Sequence, residues 1–219
     1  MTGYVICATP RSGSTLLCAL LRASRVAGWP ESWFRRQDMA EYRADWGIGP
    51  DWPDYLAAAL QAGRGLGGVA GVRMMWETFA EVGPQVLAAM GDARFVWLRR
   101  GDLVAQAVSR HRAEVSGTWH LGFEEADHPV EPAYDFDRIA GWLSEVETDN
   151  RAWQTWFASQ GISPLIVEYE TLSIEPIAVA ERVSSYLDLR TAAPLAVTNH
   201  KMADQVSADW AARFRLQSG

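Results

Sequence analysis

At 219 residues the chain has the length of one domain with room for insertions, and its 48% hydrophobic and 21% charged residues suit an ordinary globular enzyme. A formal net charge of −7 excludes a broad basic face for nucleic acid or anionic lipid, although a pocket can still set its own field for a small anion. No apolar run approaches the roughly 18 residues needed to cross a bilayer, so no membrane span is expected.

Residues 4–8, Tyr-Val-Ile-Cys-Ala, form an apolar run before Pro, Ser and Gly punctuation and predict a buried strand; residues 15–25, with leucines at 16, 17, 20 and 21, predict a helix after it. The start lacks a basic n-region, so the chain reads as cytoplasmic. Cys7 in that strand and Cys18 in that helix are the two cysteines, which build neither a disulfide framework nor a four-cysteine zinc site. Residues 35–68, rich in Trp, Asp, Gly and Pro, break the rhythm. Residues 69–75 and 94–98 predict strands, and residues 84–90 and 102–115 predict helices. Residues 116–135 break the rhythm again, with acids at Glu124, Glu125, Asp127, Glu131 and Asp135. Both irregular segments, 35–68 and 116–135, read as acceptor-side insertions in a single domain spanning 1–219, with an ordinary solvated surface as the alternative. A long helix is expected over 136–159, where Trp142, Trp153 and Trp156 sit at packing spacing. Residues 163–168 predict a strand, 176–187 a helix with Pro176 in its first turn, and an amphipathic helix follows from Ser207. Strands alternating with helices predict an α/β fold, a three-layer sandwich with a central, mostly parallel sheet and ligands beyond the carboxyl ends of its strands.

The sharpest local feature is Ala8-Thr9-Pro10-Arg11-Ser12-Gly13-Ser14-Thr15-Leu16-Leu17. Between a strand and a helix start, it offers backbone N–H groups, hydroxyls and an arginine to one point, with the helix dipole adding positive potential. The alternative is a plain turn in which Ser14 caps the helix. A nucleoside-triphosphate loop needs Gly-x4-Gly-Lys-Ser/Thr, and Ala8 stands where its first glycine would be. Of 20 basic residues 19 are arginine, and the single lysine is Lys201, far from this loop. A phosphatase loop is also excluded, because three residues separate Cys7 from Arg11 where that family has five. The loop is therefore P-loop-like without being a kinase loop.

This string resembles the 5′-phosphosulfate loop of sulfotransferases, which use 3′-phosphoadenosine 5′-phosphosulfate (PAPS) as donor. A second block, Phe95-Val96-Trp97-Leu98-Arg99-Arg100-Gly101-Asp102 leading to Ser109, resembles the strand-end arginine and helix serine that hold the 3′-phosphate in that family. The resemblance is nearer to the bacterial trehalose sulfotransferase-like branch, which includes carbohydrate and lipopolysaccharide sulfotransferases. It is carried by residues 10–17, Val26-Ala27-Gly28-Trp29-Pro30-Glu31-Ser32-Trp33-Phe34, Gly71-Val72-Arg73-Met74-Met75-Trp76, residues 102–109 with Arg112-Ala113, and Met202-Ala203-Asp204-Gln205.

The resemblance implies a sulfotransferase fold in which Arg11, Ser12, Gly13, Ser14 and Thr15 hold the 5′-phosphosulfate, with Arg11 also catalytic. It implies Arg100 and Ser109 at the 3′-phosphate, Tyr169 near adenine, Lys201 adding charge on that side, and Arg73 as a second catalytic cation where the branch has lysine. Trehalose-sulfating members carry glutamates just before and two places after the proline; here those places are Trp29 and Ser32. Glu31, directly after Pro30, is the candidate general base, with His111 as its rival and a plain ion pair with Arg35 as the structural alternative. Asp102 reads as a helix cap. Trp29, Trp33, Trp46, Trp52 and Trp119 are candidates to meet a sugar, and the implied acceptor is a small-molecule or glycolipid carbohydrate. No metal is expected, since His111, His120 and His128 lack paired ligand spacing. A homodimer is compatible with exposed tryptophans and the loop around Trp46. An atypical small-molecule kinase and a non-catalytic nucleotide- or glycan-binding module stay open as alternatives.

Overall fold

The computed structural model of the chain describes residues 3–119, 131–189 and 205–219. In chain order the elements are β1 (Gly3–Ala8), α1 (Ser14–Ala23), α2 (Met39–Trp46), α3 (Trp52–Ala62), β2 (Ala70–Met75), α4 (Trp76–Met90) and β3 (Ala93–Arg99). They continue with α5 (Leu103–Ser116), α6 (Phe136–Gln160), β4 (Leu165–Glu168), α7 (Tyr169–Ile174), α8 (Pro176–Tyr186) and α9 (Gln205–Ser218). The strands form one parallel sheet in the order β2-β1-β3-β4. Because β1 pairs with a strand on each side and is buried along its whole length, it reads as a continuous apolar run and not as an alternating one.

The period of two still sorts its side chains. Tyr4, Ile6 and Ala8 join a core with Leu17 and Leu21 of α1 and Val179 and Val183 of α8, whereas Val5 and Cys7 join the opposite core with Tyr55 of α3, Val86 of α4 and Trp153 of α6. Helices on both faces complete the three-layer α/β sandwich that the alternation predicts. A smaller core joins α5, α6 and α9 through Val108, Ile139 and Phe214. Both cysteines are buried as reduced thiols, and burial pushes Cys18 up to about 12.

Two expectations need correction. The helix expected over 84–90 begins at Trp76, with Pro84 inside it, because packing outweighs the hydrogen bond that proline deletes. Phe79 lies 4.7 Å from the Trp153 ring and 4.6 Å from the Trp156 ring, which anchors the turns before the proline. Segment 35–68, read as irregular, carries α2 and α3 around an aromatic cluster. Trp33 is 5.2 Å from Tyr42 and 5.8 Å from Trp46, and Trp52 stacks on Tyr55, so these three tryptophans serve packing. Of the five tryptophans set aside for a sugar, Trp29 and Trp119 are the exposed ones.

At the α5–α6 contact Arg110 pairs with Glu145 at 2.7 Å. One turn further along α6, burial first and then Glu145 and Glu77 push the Asp149 carboxyl up to about 6, against the opposing pull of Arg110. The folded protein thus holds this proton more tightly than the unfolded chain, whose carboxyl titrates near 4, and stability falls as pH rises through that interval. Asp149→Asn is expected to raise Tm by a few degrees at about pH 8 and to leave it nearly unchanged at about pH 4. Equal effects at both pH values in thermal melts would contradict that assignment.

Candidate active site

The carboxyl end of β1, where the chain order of the sheet turns outward to both sides, is where an α/β sheet offers a ligand crevice. The chain leaves β1 through Thr9, whose carbonyl accepts from the Ser12 amide at 3.3 Å and the Ser12 hydroxyl at 2.7 Å. Arg11 has φ of +65° and Gly13 φ of +90°, so the loop turns twice through the left-handed region before α1 starts. Gly13 is the N-cap of α1 and no side chain accepts from the first turn. The alternative of a plain turn in which Ser14 caps the helix is therefore not what the structure has, and the leading N–H groups of α1 face the crevice with the positive end of its dipole.

Gly13 is also required by space: a Cβ there would stand 2.7 Å from Cδ2 of Tyr169, at the start of α7. The Arg100 guanidinium lies 4.4 Å from the Tyr169 ring and donates to the Arg11 carbonyl at 3.3 Å. Arg11 in turn donates through Nε to the Ser109 hydroxyl at 3.0 Å, across 98 positions of sequence, and through Nη1 to the Trp119 carbonyl. Five of the residues singled out from sequence, Arg11, Gly13, Arg100, Ser109 and Tyr169, thus meet around one loop. Burial lowers the pKa of Arg11, and Arg100 beside it pushes the same way; burial lowers Arg100 too, against Tyr169, Asp102 and Glu170. Two adjacent, largely buried guanidiniums, with the Arg100 Nε buried and without a hydrogen-bond partner among the described residues, form a cradle that an anion would relieve.

A second group lies on the β2 side. Arg73 donates through Nε to the Ser32 hydroxyl at 2.9 Å, through Nη1 to the Thr15 hydroxyl at 3.0 Å and through Nη2 to the Glu31 carboxylate. Glu31 also accepts from the Ser32 amide at 3.0 Å. This places Glu31 beside the first turn of α1, paired with Arg73 and not with Arg35, which pairs with Asp38. His111 stands elsewhere. It is 2% exposed, its Nε2 meets the Ala133 carbonyl at 2.8 Å, and it packs near Trp210. Two residues past Ser109, it leaves the opposite side of α5, so the structure does not bring it to the cradle. Lys201 lies outside the described residues.

Several supporting residues were not foreseen. Gln106, fully buried, donates to the Thr9 hydroxyl at 2.8 Å and the Pro10 carbonyl at 2.6 Å, fixing the loop from α5. Its place three residues before Ser109, on the same helix face, is the signal that could have found it. Glu170 accepts from the amides of Gly101 at 3.0 Å and Asp102 at 3.2 Å and holds the turn that carries Arg100; nothing local in sequence links it to that turn. Asp102 caps α5 by accepting from the Ala105 amide at 2.9 Å, as expected. Among the described residues no group of His, Cys, Asp and Glu could hold a metal ion, and no helix is long and apolar enough to cross a membrane.

The parallel α/β sandwich is a fold shared with solved sulfotransferases. A sulfotransferase from Alicyclobacillus acidocaldarius superposes with a TM-score of 0.57 over 99% of this chain and 92% of its own, at 14% identity. The sulfotransferase domain of the curacin biosynthetic pathway does so with a TM-score of 0.50 over 95% of this chain and 82% of its own, at 15% identity. The model of the Stf0 sulphotransferase family matches residues 3–217, so the chain belongs to that family and is a sulfotransferase. Trehalose 2-sulfotransferases of Mycobacterium tuberculosis and Mycolicibacterium smegmatis are each 28% identical, with 98% of this chain aligned to 95% and 94% of theirs.

Proposed function

We propose that this sulfotransferase takes its sulfuryl group from PAPS and passes it to a hydroxyl of a carbohydrate or glycoconjugate. The observation that carries the donor half is the meeting of Arg11, Ser109 and Arg100 at the uncapped start of α1. In this reading the first-turn amides with Ser12, Gly13, Ser14 and Thr15 take the 5′-phosphosulfate. Arg100 and Ser109 take the 3′-phosphate, and the Tyr169 ring borders the nucleotide. The acceptor half is supported by the carbohydrate named for the two mycobacterial relatives and by Glu31 beside Thr15.

The reaction forms a bond from the acceptor oxygen to sulfur and breaks the bond from sulfur to the oxygen bridging to the 5′-phosphate. Glu31 accepts the hydroxyl proton as the first bond forms, and Arg11 stabilises negative charge growing on the bridging oxygen as the second breaks. Arg73 holds Glu31 and Thr15 in one frame, so that the base keeps its place relative to the donor. Arginine can fill these positions where related sites use lysine, because it is permanently charged and its fork engages two oxygens.

Glu31→Gln keeps the shape of the side chain and removes its basicity. It is expected to lower kcat by about a hundredfold or more while leaving the affinity for 3′-phosphoadenosine 5′-phosphate within about twofold. Turnover equal to wild type in a coupled sulfuryl-transfer assay would remove Glu31 as base.

A further inference from the structure

The segment that carries Glu31 continues into a groove on the same edge of the sheet. Glu31 pairs in parallel with Val72, the Trp29 amide donates to the Gly63 carbonyl at 2.9 Å, and the Leu66 amide donates to the Arg25 carbonyl at 3.0 Å. These bonds stitch the end of α1, the Trp29 segment and the loop after α3 into one frame. Its closeness shows at Gly28, φ +81°, where a Cβ would lie 2.3 Å from the Gly63 carbonyl oxygen and 2.8 Å from that of Val69. Arg25 is held at φ of +60°, a left-handed conformation that a non-glycine residue adopts only where its surroundings impose it.

Over this frame lies a groove of about 650 Å³ lined by Arg22, Arg25, Arg64, Trp29, Gln61 and Leu66 among others, with no acidic residue among the described residues of its lining. In a chain of net charge −7 that is a local reversal of sign. Neither Arg22 nor Arg25 forms an ion pair with a described residue. The Arg22 guanidinium lies 4.7 Å from the Trp29 ring, and Trp29 is 48% exposed.

The groove is linked to the acceptor side of the cradle by α1 and by the chain from Trp29 to Glu31. Arg22 follows Thr15 by seven residues, hence two turns along the same face of α1, about 10 Å down its axis. Cys18, which stands between Thr15 and Arg22 in the sequence of α1, is buried.

We propose that this groove binds a phosphate ester on the acceptor, so that the substrate is a phosphorylated glycan whose reacting hydroxyl sits at Glu31 while its phosphate sits on Arg22, Arg25 and Arg64. The substrate assignment rests on the donor and base roles given above. Guanidinium forks match phosphate oxygens, several of them converge here, and the exposed indole offers a face to a sugar ring. A neutral disaccharide would bring no charge to answer Arg22 and Arg25.

The test begins with calorimetry on the protein without donor, using trehalose, trehalose 6-phosphate and inorganic phosphate as probes. Trehalose 6-phosphate is expected to bind about tenfold or more tighter than either of the others, and Arg22→Gln with Arg25→Gln together to lose that advantage. Arg22→Lys, which keeps the charge without the fork, is expected to retain part of it. Binding of 3′-phosphoadenosine 5′-phosphate by the double variant serves as the control for folding. With PAPS as donor, the wild type is expected to show a lower KM for trehalose 6-phosphate than for trehalose. Inorganic phosphate or trehalose binding as tightly as the sugar phosphate, or a double variant that folds and still binds it fully, would overturn the proposal. Failure of the donor reading is separately visible as a wild type that does not bind the bisphosphate.

Discussion

Arg11→Ala is expected to lower kcat/KM by about a thousandfold or more, because in the proposed mechanism one side chain serves both the leaving oxygen and the geometry of the loop. Its Nε bond to Ser109 ties the loop to α5 and is lost with the side chain, whereas the backbone carbonyl that accepts from Arg100 remains in the alanine variant. Single-turnover rates separate the two contributions: a charge role lowers the chemical step at saturating donor, and a positioning role also weakens donor binding. Arg11→Lys restores charge without the fork and should recover only part of the loss. A variant within a few-fold of wild type would show that charge on the leaving oxygen is stabilised elsewhere.

Gly13→Ala carries the second large effect. The φ of +90° strains any residue with a Cβ, and that Cβ would stand 2.7 Å from the Tyr169 ring. The strain alone costs about 1–3 kcal/mol, equivalent to roughly 2–12 °C in Tm for a chain of this size. The ring must also move, and since Arg100 lies against it at 4.4 Å, the displacement reaches the side of the cradle proposed to hold the 3′-phosphate. Affinity for the donor product should therefore fall about tenfold or more in Gly13→Ala. Tyr169→Phe, which keeps the ring, should change Tm and affinity little. An alanine variant that melts and binds like wild type would show that the loop has room to relax.

The order of strands and helices was legible because the strands are short apolar runs bounded by turn residues, most plainly at residues 4–8, where β1 is buried on both faces. The start of α4 was not, since Pro84 suits a first turn, and it is the contact of Phe79 with Trp153, distant in the sequence, that keeps the earlier turns helical. Likewise the tryptophans of 35–68 look like a sugar platform in one dimension and become a packed cluster only when α2 and α3 fold onto Phe34 and Tyr55. In the cradle, the loop was legible from its own residues, and Arg100 and Ser109 from resemblance. Gln106 and Glu170 were not, because their partners are backbone groups of distant loops. His111 illustrates the converse: its residue type suits acid–base work, and only its buried bond to Ala133 shows that it faces away.

The central claim is that the cradle recognises a nucleotide by its 3′- and 5′-phosphates. Calorimetric titration of 3′-phosphoadenosine 5′-phosphate, beside ATP with magnesium, on wild type and Arg100→Ala tests it most directly. The account predicts that wild type prefers the 3′,5′-bisphosphate and that Arg100→Ala weakens it by about thirtyfold or more, the cost of removing one partner of a buried charged contact. Tighter binding of ATP, or bisphosphate binding indifferent to Arg100, would contradict it.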